Sequence, residues 1–290
     1  MADFLIVGAG VFGVSTALHL IKSDPNANIV LIDRSPCPYP SAASSDMNKI
    51  IRADYEDVFY MRLALEALEI WNSDPLYKPY FHETGMLCAE DIGMGDASFR
   101  NYKEIGLDPG AEILTLEQSR ERFPVFTKAN WANVKDNYYN PRSGWGEADP
   151  AMQAVAEVAL SAGVKFVQAP VEKLCFDDQG ACIGVKSVDD DEIRAANILL
   201  CTGAWTAQLL ADSAPHNADI QVNGRMVAAA ATSCIVQCDP EHLSLYRDAP
   251  VHFLGMPHTH GECQNSLSFL RQTQLTRSQG RAFLQPPTEN

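Results

Sequence analysis

The sequence predicts an α/β fold: a mainly parallel sheet with flanking helices, interrupted by a smaller α+β unit and then resumed. Three observations carry this expectation. Residues 4–7, FLIV, are uniformly apolar, as suits a strand buried on both faces. Glycines follow at once and open a segment, Val14 to Ile21, with apolar residues at helical spacing. A second apolar run, NIVLID, ends at residue 33, so strand, helix and strand fit within about thirty-five residues, the size of one parallel crossover.

The elements follow in order. From Ser35 the composition turns to Pro, Cys and Ser, SPCPYPSAASSDMNKIIR, which excludes regular helix until after Pro40. A helix is predicted over 58–71, with Phe59, Leu63, Leu65, Leu68 and Ile70 on its buried side and NSDPL as its stop. HETGMLCAE reads as one strand. Residues 91–140 are richer in polar and turn residues, with an amphipathic segment over 116–123 and aromatic Trp131, Tyr138 and Tyr139; they are assigned to the second unit. In GEADPAMQAVAEVALSAGVKF, Asp149 reads as the N-cap and Pro150 as the first residue of a helix that ends near Gly163 and leads into a strand. A hairpin over 173–195 and the strand NILLCTGAW resume the first unit, and MVAAAATSCIVQC reads as a further strand. The expected division is 1–82 with 147–226 for the first unit, and 83–146 with 227–290 for the second.

Composition narrows the function classes. Acidic residues number 37 against 22 basic, a formal charge of −15, which repels nucleic acid and anionic membrane surfaces and favours a small-molecule partner. The eight cysteines show no CxxC and no dense framework, as expected of reduced thiols. No apolar run reaches the roughly 18 residues of a transmembrane helix, and Asp3 stands where a secretory signal would be basic. A soluble, monomeric protein is expected.

Gly8, Gly10 and Gly13 have the G-x-G-x-x-G spacing, between a predicted strand and a predicted helix. Gly8 suits a tight turn, Gly10 lets backbone approach a pyrophosphate, and Gly13 lets helix and strand pack closely. The helix start, with Val11 and Phe12, offers unpaired N–H groups and a partial positive charge to the anion. Asp33, twenty residues beyond Gly13, ends the second strand where a carboxylate accepts ribose hydroxyls. This is a Rossmann-like dinucleotide signature. The acid disfavours a 2′-phosphate, although the adjacent Arg34 softens that inference, and leaves NAD or the ADP half of FAD. An NAD-dependent dehydrogenase would continue strand-helix-strand directly, whereas this chain leaves the sheet for a Ser-rich loop, which favours a flavin.

Four blocks, VGAGVFG, LIDR, ASSDMNKIIRADY and LLCTGAWT, resemble the FAD-dependent amine oxidases of the D-amino-acid oxidase and sarcosine oxidase type. The third, within SAASSDMNKIIRADY, is most similar to that of the fungal fructosyl amino acid oxidases (amadoriases) and saccharopine oxidases. The resemblance covers residues 1 to about 235 and implies FAD as cofactor and oxidation of a C–N bond of an amino acid or N-substituted amino acid by oxygen. It implies that Asp33 and Arg34 hold the adenosine ribose, that Ser44, Ser45 and Asp46 pass the pyrophosphate and ribityl chain, and that Asn48, Lys49 and Ile50 lie beside the isoalloxazine ring. Val171 would pair with adenine through its backbone, and Thr202, Gly203, Ala204 and Trp205 would line the nucleotide. Arg52 has a choice between a flavin-side contact and an ordinary salt bridge. A fixed cation at Lys49 would favour the reduced ring and its reaction with oxygen, which makes it the catalytic candidate; its alternative is a solvated side chain packed along the loop.

Cys234, Cys238, His258, His260 and Cys263 supply enough ligands for zinc, but two cysteines four residues apart along a strand stand too far apart for one ion, so no metal is expected. His82, Trp145, Tyr138 and Tyr139 are packing residues that could also line an amine pocket. The resembled family continues well past residue 290, and QNSLSFLRQTQLTRSQGR departs from its pattern, so a C-terminally truncated chain is expected, with a catalytically silent nucleotide binder as the alternative to an active oxidase. Many members of the family are peroxisomal; the final residues Thr288, Glu289 and Asn290 are not an SKL-type address, and cytoplasm is the expected compartment.

Overall fold

In the computed structural model, the structure describes residues 1–89, 93–131, 134–229, 235, 237, 239–240, 243–246, 249–254 and 267–269. The chain begins with β1 (Ala2–Val7), α1 (Val11–Ser23), β2 (Ile29–Asp33), β3 (Lys49–Ile51), α2 (Val58–Ser73), β4 (Phe81–His82) and β5 (Met86–Ala89). It continues with α3 (Met94–Ile105), β6 (Glu112–Thr115), α4 (Leu116–Arg122), β7 (Asp136–Asn140), β8 (Gly144–Gly146), α5 (Ala148–Ser161) and β9 (Lys165–Gln168). The last elements are β10 (Val171–Phe176), β11 (Cys182–Ser187), β12 (Glu192–Leu200), α6 (Thr206–Ser213), α7 (Leu243–Tyr246), β13 (Val251–Leu254) and β14 (Leu267–Phe269).

The fold is mixed α/β, as the sequence predicts. A six-stranded sheet has the order β10-β11-β12-β1-β2-β9, with β12, β1, β2 and β9 mutually parallel and β10, β11 added antiparallel. Because β1 and β2 are covered on both sides, alternate residues enter two separate cores. Ile6, Ile29 and Leu31 meet α1 (Val14, Leu18) and α5 (Val155, Ala159), while Leu5, Val7, Val30 and Ile32 meet Leu174, Val185 and Leu209. Leu18 is fully buried, and its truncation to Ala would cost about 2–5 kcal/mol.

A five-stranded sheet, β14-β13-β5-β7-β6, packs Leu87 and Tyr139 against Phe123, Phe126 and Trp131 on one face and Met86, Cys88, Tyr138 and Val251 against Trp145 on the other. Helix α4 begins with a capping box, Thr115 with Gln118, which explains the amphipathic segment seen in the sequence. A three-stranded sheet, β3-β8-β4, brings the Ser-rich loop against the turn that precedes α5.

Five local expectations are corrected. HETGMLCAE is two strands, because Gly85 takes φ +78 with the Tyr139 ring where a Cβ would sit. Helix α2 buries Met61 and Leu68, while Phe59, Leu63 and Ile70 are exposed and Leu65 is half-buried, since only a narrow side of it meets described residues. The N-cap of α5 is Glu147: Asp149 lies inside the first turn, where its carboxylate accepts from the Asp46 N–H at 2.9 Å. The hairpin over 173–195 is a three-stranded meander in which EIRA and NILL form the single strand β12. In MVAAAATSCIVQC, residues 226–229 are irregular, as are Ile235 and Gln237, and the other residues of that stretch lie outside the described ones. The residues weighed and rejected as zinc ligands, Cys234, Cys238, His258, His260 and Cys263, lie outside the described residues. Among the described residues no metal-binding cluster occurs, five cysteines are free thiols, and no helix is long and apolar enough to cross a membrane.

Candidate dinucleotide site

The C-terminal edge of β1, β2 and β12 builds the site. Gly8 follows β1 with φ +108, and a Cβ there would meet the Cys201 carbonyl oxygen at 2.4 Å, so the turn and the approach of β12 both require glycine. At Gly13 a Cβ would lie 1.8 Å from the Gly8 carbonyl oxygen: the helix rests on the loop without room for a side chain. Gly10 differs. A Cβ there meets only the Ala42 Cβ at 3.6 Å and the Ser44 Oγ at 3.7 Å, ordinary contacts, so the protein itself does not demand glycine at this position. Space kept open where the chain has no use for it fits a ligand backbone passing over Gly10.

The first N–H groups of α1 have no partner within the helix. Val11 N–H donates to Ser44 Oγ at 3.2 Å, which brings the Ser-rich loop to the helix start, and Tyr39 N–H donates to the Ala9 carbonyl at 3.0 Å. Phe12 is exposed. Asp33 is braced by backbone: its Oδ2 accepts from Ala9 N–H at 2.8 Å and its Oδ1 from Ser35 N–H at 3.1 Å. Each oxygen keeps a second acceptor site for a ribose hydroxyl. Beside it, burial and then the Asp33 charge push the Cys37 thiol up to about 11, so it remains protonated near neutral pH.

Arg34 stacks its guanidinium over the Trp205 ring at 4.5 Å, with Tyr39 at 5.8 Å, and so bridges the ends of β2 and β12. Thr202, Gly203, Ala204 and Trp205 form a turn stabilised by the Thr202–Thr206 hydroxyl contact at 2.8 Å. Val171 lies two residues beyond Ala169, whose N–H donates to the Asp33 carbonyl at 2.8 Å. Ser45 Oγ donates to the Tyr39 carbonyl. Asp46 pairs with Lys49 at 2.6 Å on an exposed surface, and Asn48 leads into β3. Lys49, Ile50 and Ile51 pair with Gly146, Trp145 and Gly144.

Thus Gly8, Gly10, Val11, Gly13, Asp33, Arg34, Ser44 and the 202–205 turn converge. Arg52 does not join them: it stacks on Tyr55 at 4.3 Å, and its buried Nη1 has no hydrogen-bond partner among the described residues. Tyr138, Tyr139 and Trp145 are buried and pack, while His82 stacks on Trp145 at 4.1 Å and meets Glu147 at 2.8 Å. Asp54, Tyr39 and Cys37 were not singled out by sequence. The only signal for Asp54 was an acid set in the otherwise apolar and basic run KIIRADY.

A family model described as FAD dependent oxidoreductase matches residues 3–263. The chain belongs to that family. This excludes the NAD-dependent dehydrogenase alternative and bears out FAD as the cofactor of the family, whose requirements the open Gly10 position and the braced Asp33 satisfy. The chain is 28% identical over 266 residues to L-saccharopine oxidase of Schizosaccharomyces pombe, an alignment that covers 86% of this chain and 59% of that protein. Human peroxisomal sarcosine oxidase is 25% identical over 217 residues, 72% of this chain and 52% of that one. Among solved structures, a modified fructosyl peptide oxidase from Aspergillus nidulans superposes with a TM-score of 0.73 at 26% identity, covering 88% of this chain and 60% of that one. The chain therefore spans about half to three fifths of the length of these relatives.

Proposed function

We propose that this chain binds FAD and takes part in oxidising the C–N bond of an amino acid or N-substituted amino acid, with oxygen as acceptor. The observation that carries the reading is the open Cβ direction at Gly10, set between two glycines that the fold itself requires. The relatives' named substrates, saccharopine, sarcosine and fructosyl peptides, support a substrate of this class, to which pipecolate and fructosyl amino acids also belong.

Bound flavin supplies the hydride acceptor for such a reaction. The chain's own residues take the following parts. Gly10 and the α1 N–H groups hold the pyrophosphate, Asp33 accepts from the ribose, and Arg34 with Trp205 closes over the nucleotide. Lys49 places a cation at the ring-side strand β3, where its pairing with Asp46 sets its position. Phe12, Ser45, Asp46, Asn48, Ile50, Val171, Thr202, Gly203 and Ala204 line the remaining wall.

The test is direct. The purified chain, titrated with FAD, should turn yellow, bind ADP competitively, and form peroxide with an amine of this class. Flavin binding without peroxide removes the turnover and keeps the binding. Absence of any FAD or ADP binding removes both.

A further inference from the structure

The loop between β2 and α2 has two anchors. Its first part is fixed to the nucleotide half by Tyr39 on Ala9, Ser44 on Val11, and a reciprocal pair between Asp46 and Asp149 at 2.9 and 3.0 Å. Its last part is fixed elsewhere. Asp54, fully buried, accepts from Tyr138 Oη at 2.6 Å and Asn140 Nδ2 at 2.8 Å on one oxygen, and from Ser143 Oγ at 3.0 Å on the other. All three donors belong to β7 or the turn after it. Asn101 of α3 adds bonds to the carbonyls of Tyr55 and Glu56. Between the anchors runs β3, which among the described residues pairs with β8 alone.

Among the described residues no cation stands within salt-bridge distance of Asp54; its side-chain partners are the neutral donors Tyr138, Asn140 and Ser143. Burial, followed by the Asp54 charge, pushes the Tyr138 hydroxyl upward, so it stays a donor at any ordinary pH. Removing such an acceptor strands the buried Tyr138 and Ser143 hydroxyls and leaves Asn140 Nδ2 with its 3.5 Å contact to Tyr102 Oη, a larger penalty than the bonds themselves.

We propose that Asp54 is a positioning residue for the ring-side half of the FAD site: it locks Lys49–Arg52 to the five-stranded sheet, while the ADP-side contacts hang on the first anchor and do not depend on it. This rests on the FAD reading above. The full chain is titrated with ADP and with FAD, followed by tryptophan and flavin fluorescence and by the visible absorbance of bound flavin. Wild type should prefer FAD over ADP. Asp54→Ala should narrow that preference by about tenfold or more, with ADP affinity unchanged within about twofold and the bound-flavin spectrum reverting toward that of free FAD. Asp54→Asn, which keeps an acceptor oxygen, should restore part of the preference, and Tyr138→Phe and Ser143→Ala should narrow it less than Asp54→Ala. If Asp54→Ala fails to fold by circular dichroism, the latter two variants carry the test. An unchanged preference in every folded variant, an equal loss of ADP and FAD affinity, or a wild-type chain that binds both equally overturns the proposal with nucleotide binding intact. A wild-type chain that binds neither nucleotide overturns the FAD reading as well.

Discussion

The six-stranded and five-stranded sheets bury their residues by different means. The first puts apolar side chains on both faces of β1 and β2, and of the fully buried polar residues described only Ser187 belongs to it. Asp54, Ser98, Ser119, Asn137, Asn140, Ser143 and His252 all lie in or against the second. An apolar sheet with glycine contacts fails by steric conflict, without regard to pH. A sheet with buried polar groups fails when a partner or a protonation state changes, and it therefore specifies orientation more narrowly.

The largest test of the first sheet is Gly13→Ala. With backbone oxygen 1.8 Å from the new Cβ and no flexible neighbour to yield, the loss of stability in urea unfolding should reach about 3 kcal/mol or more and be equal at pH 5 and pH 7.5. A loss that varied with pH would break the contrast between the sheets.

The matching test of the second sheet is acidification. His252 is 2% exposed among Phe126 and Trp131, and burial lowers its pKa from 6.5 to about 4. The unfolded chain therefore takes up the proton first. This part of the stability is complete above pH 6.5 and is lost as pH falls from there to about 4, by up to about 3 kcal/mol. His252→Leu should remove that slope from unfolding curves measured across the range; a slope that persisted would place the titration elsewhere.

Smaller in effect, Gly10→Ala separates ligand space from protein space. Stability should hold within about 0.5 kcal/mol because the Cβ meets only ordinary contacts, whereas ADP binding by calorimetry should weaken by about 2 kcal/mol or more. The smallest stability change belongs to Lys49→Met. Its pair with Asp46 is exposed, so unfolding should move by less than about 0.5 kcal/mol. If its cation serves oxygen, stopped-flow reoxidation of bound flavin should slow far more than flavin binding weakens, and an unchanged oxygen step would return Lys49 to a surface role.

Much of the first sheet was legible because its determinants are local. Continuous apolar runs mark strands buried on both faces, and three glycines at fixed spacing mark a turn that side chains cannot enter. The same logic misjudged α2, where apolar residues are plentiful and only the neighbouring elements select Met61 and Leu68 as the buried ones. It misplaced the start of α5 because Asp149, a good cap by residue type, is engaged by Asp46 from 103 positions away. It passed over Asp54, whose importance comes from donors 84 to 89 residues further on.

By itself, then, the sequence determined the β1–α1–β2 unit, the glycine loop with Asp33 at its end, the return of the chain through β12 to the 202–205 turn, and the resemblance that pointed to FAD. These depend on short-range periodicity and on backbone space at single residues. Tertiary structure alone decided that Asp33 braces the loop it serves, that Arg34 leans on Trp205, and that one buried carboxylate ties the ring-side strand to the second sheet. Those contacts join residues distant in the chain, and the free energy that selects them arises only when burial strips water from groups that must then find each other.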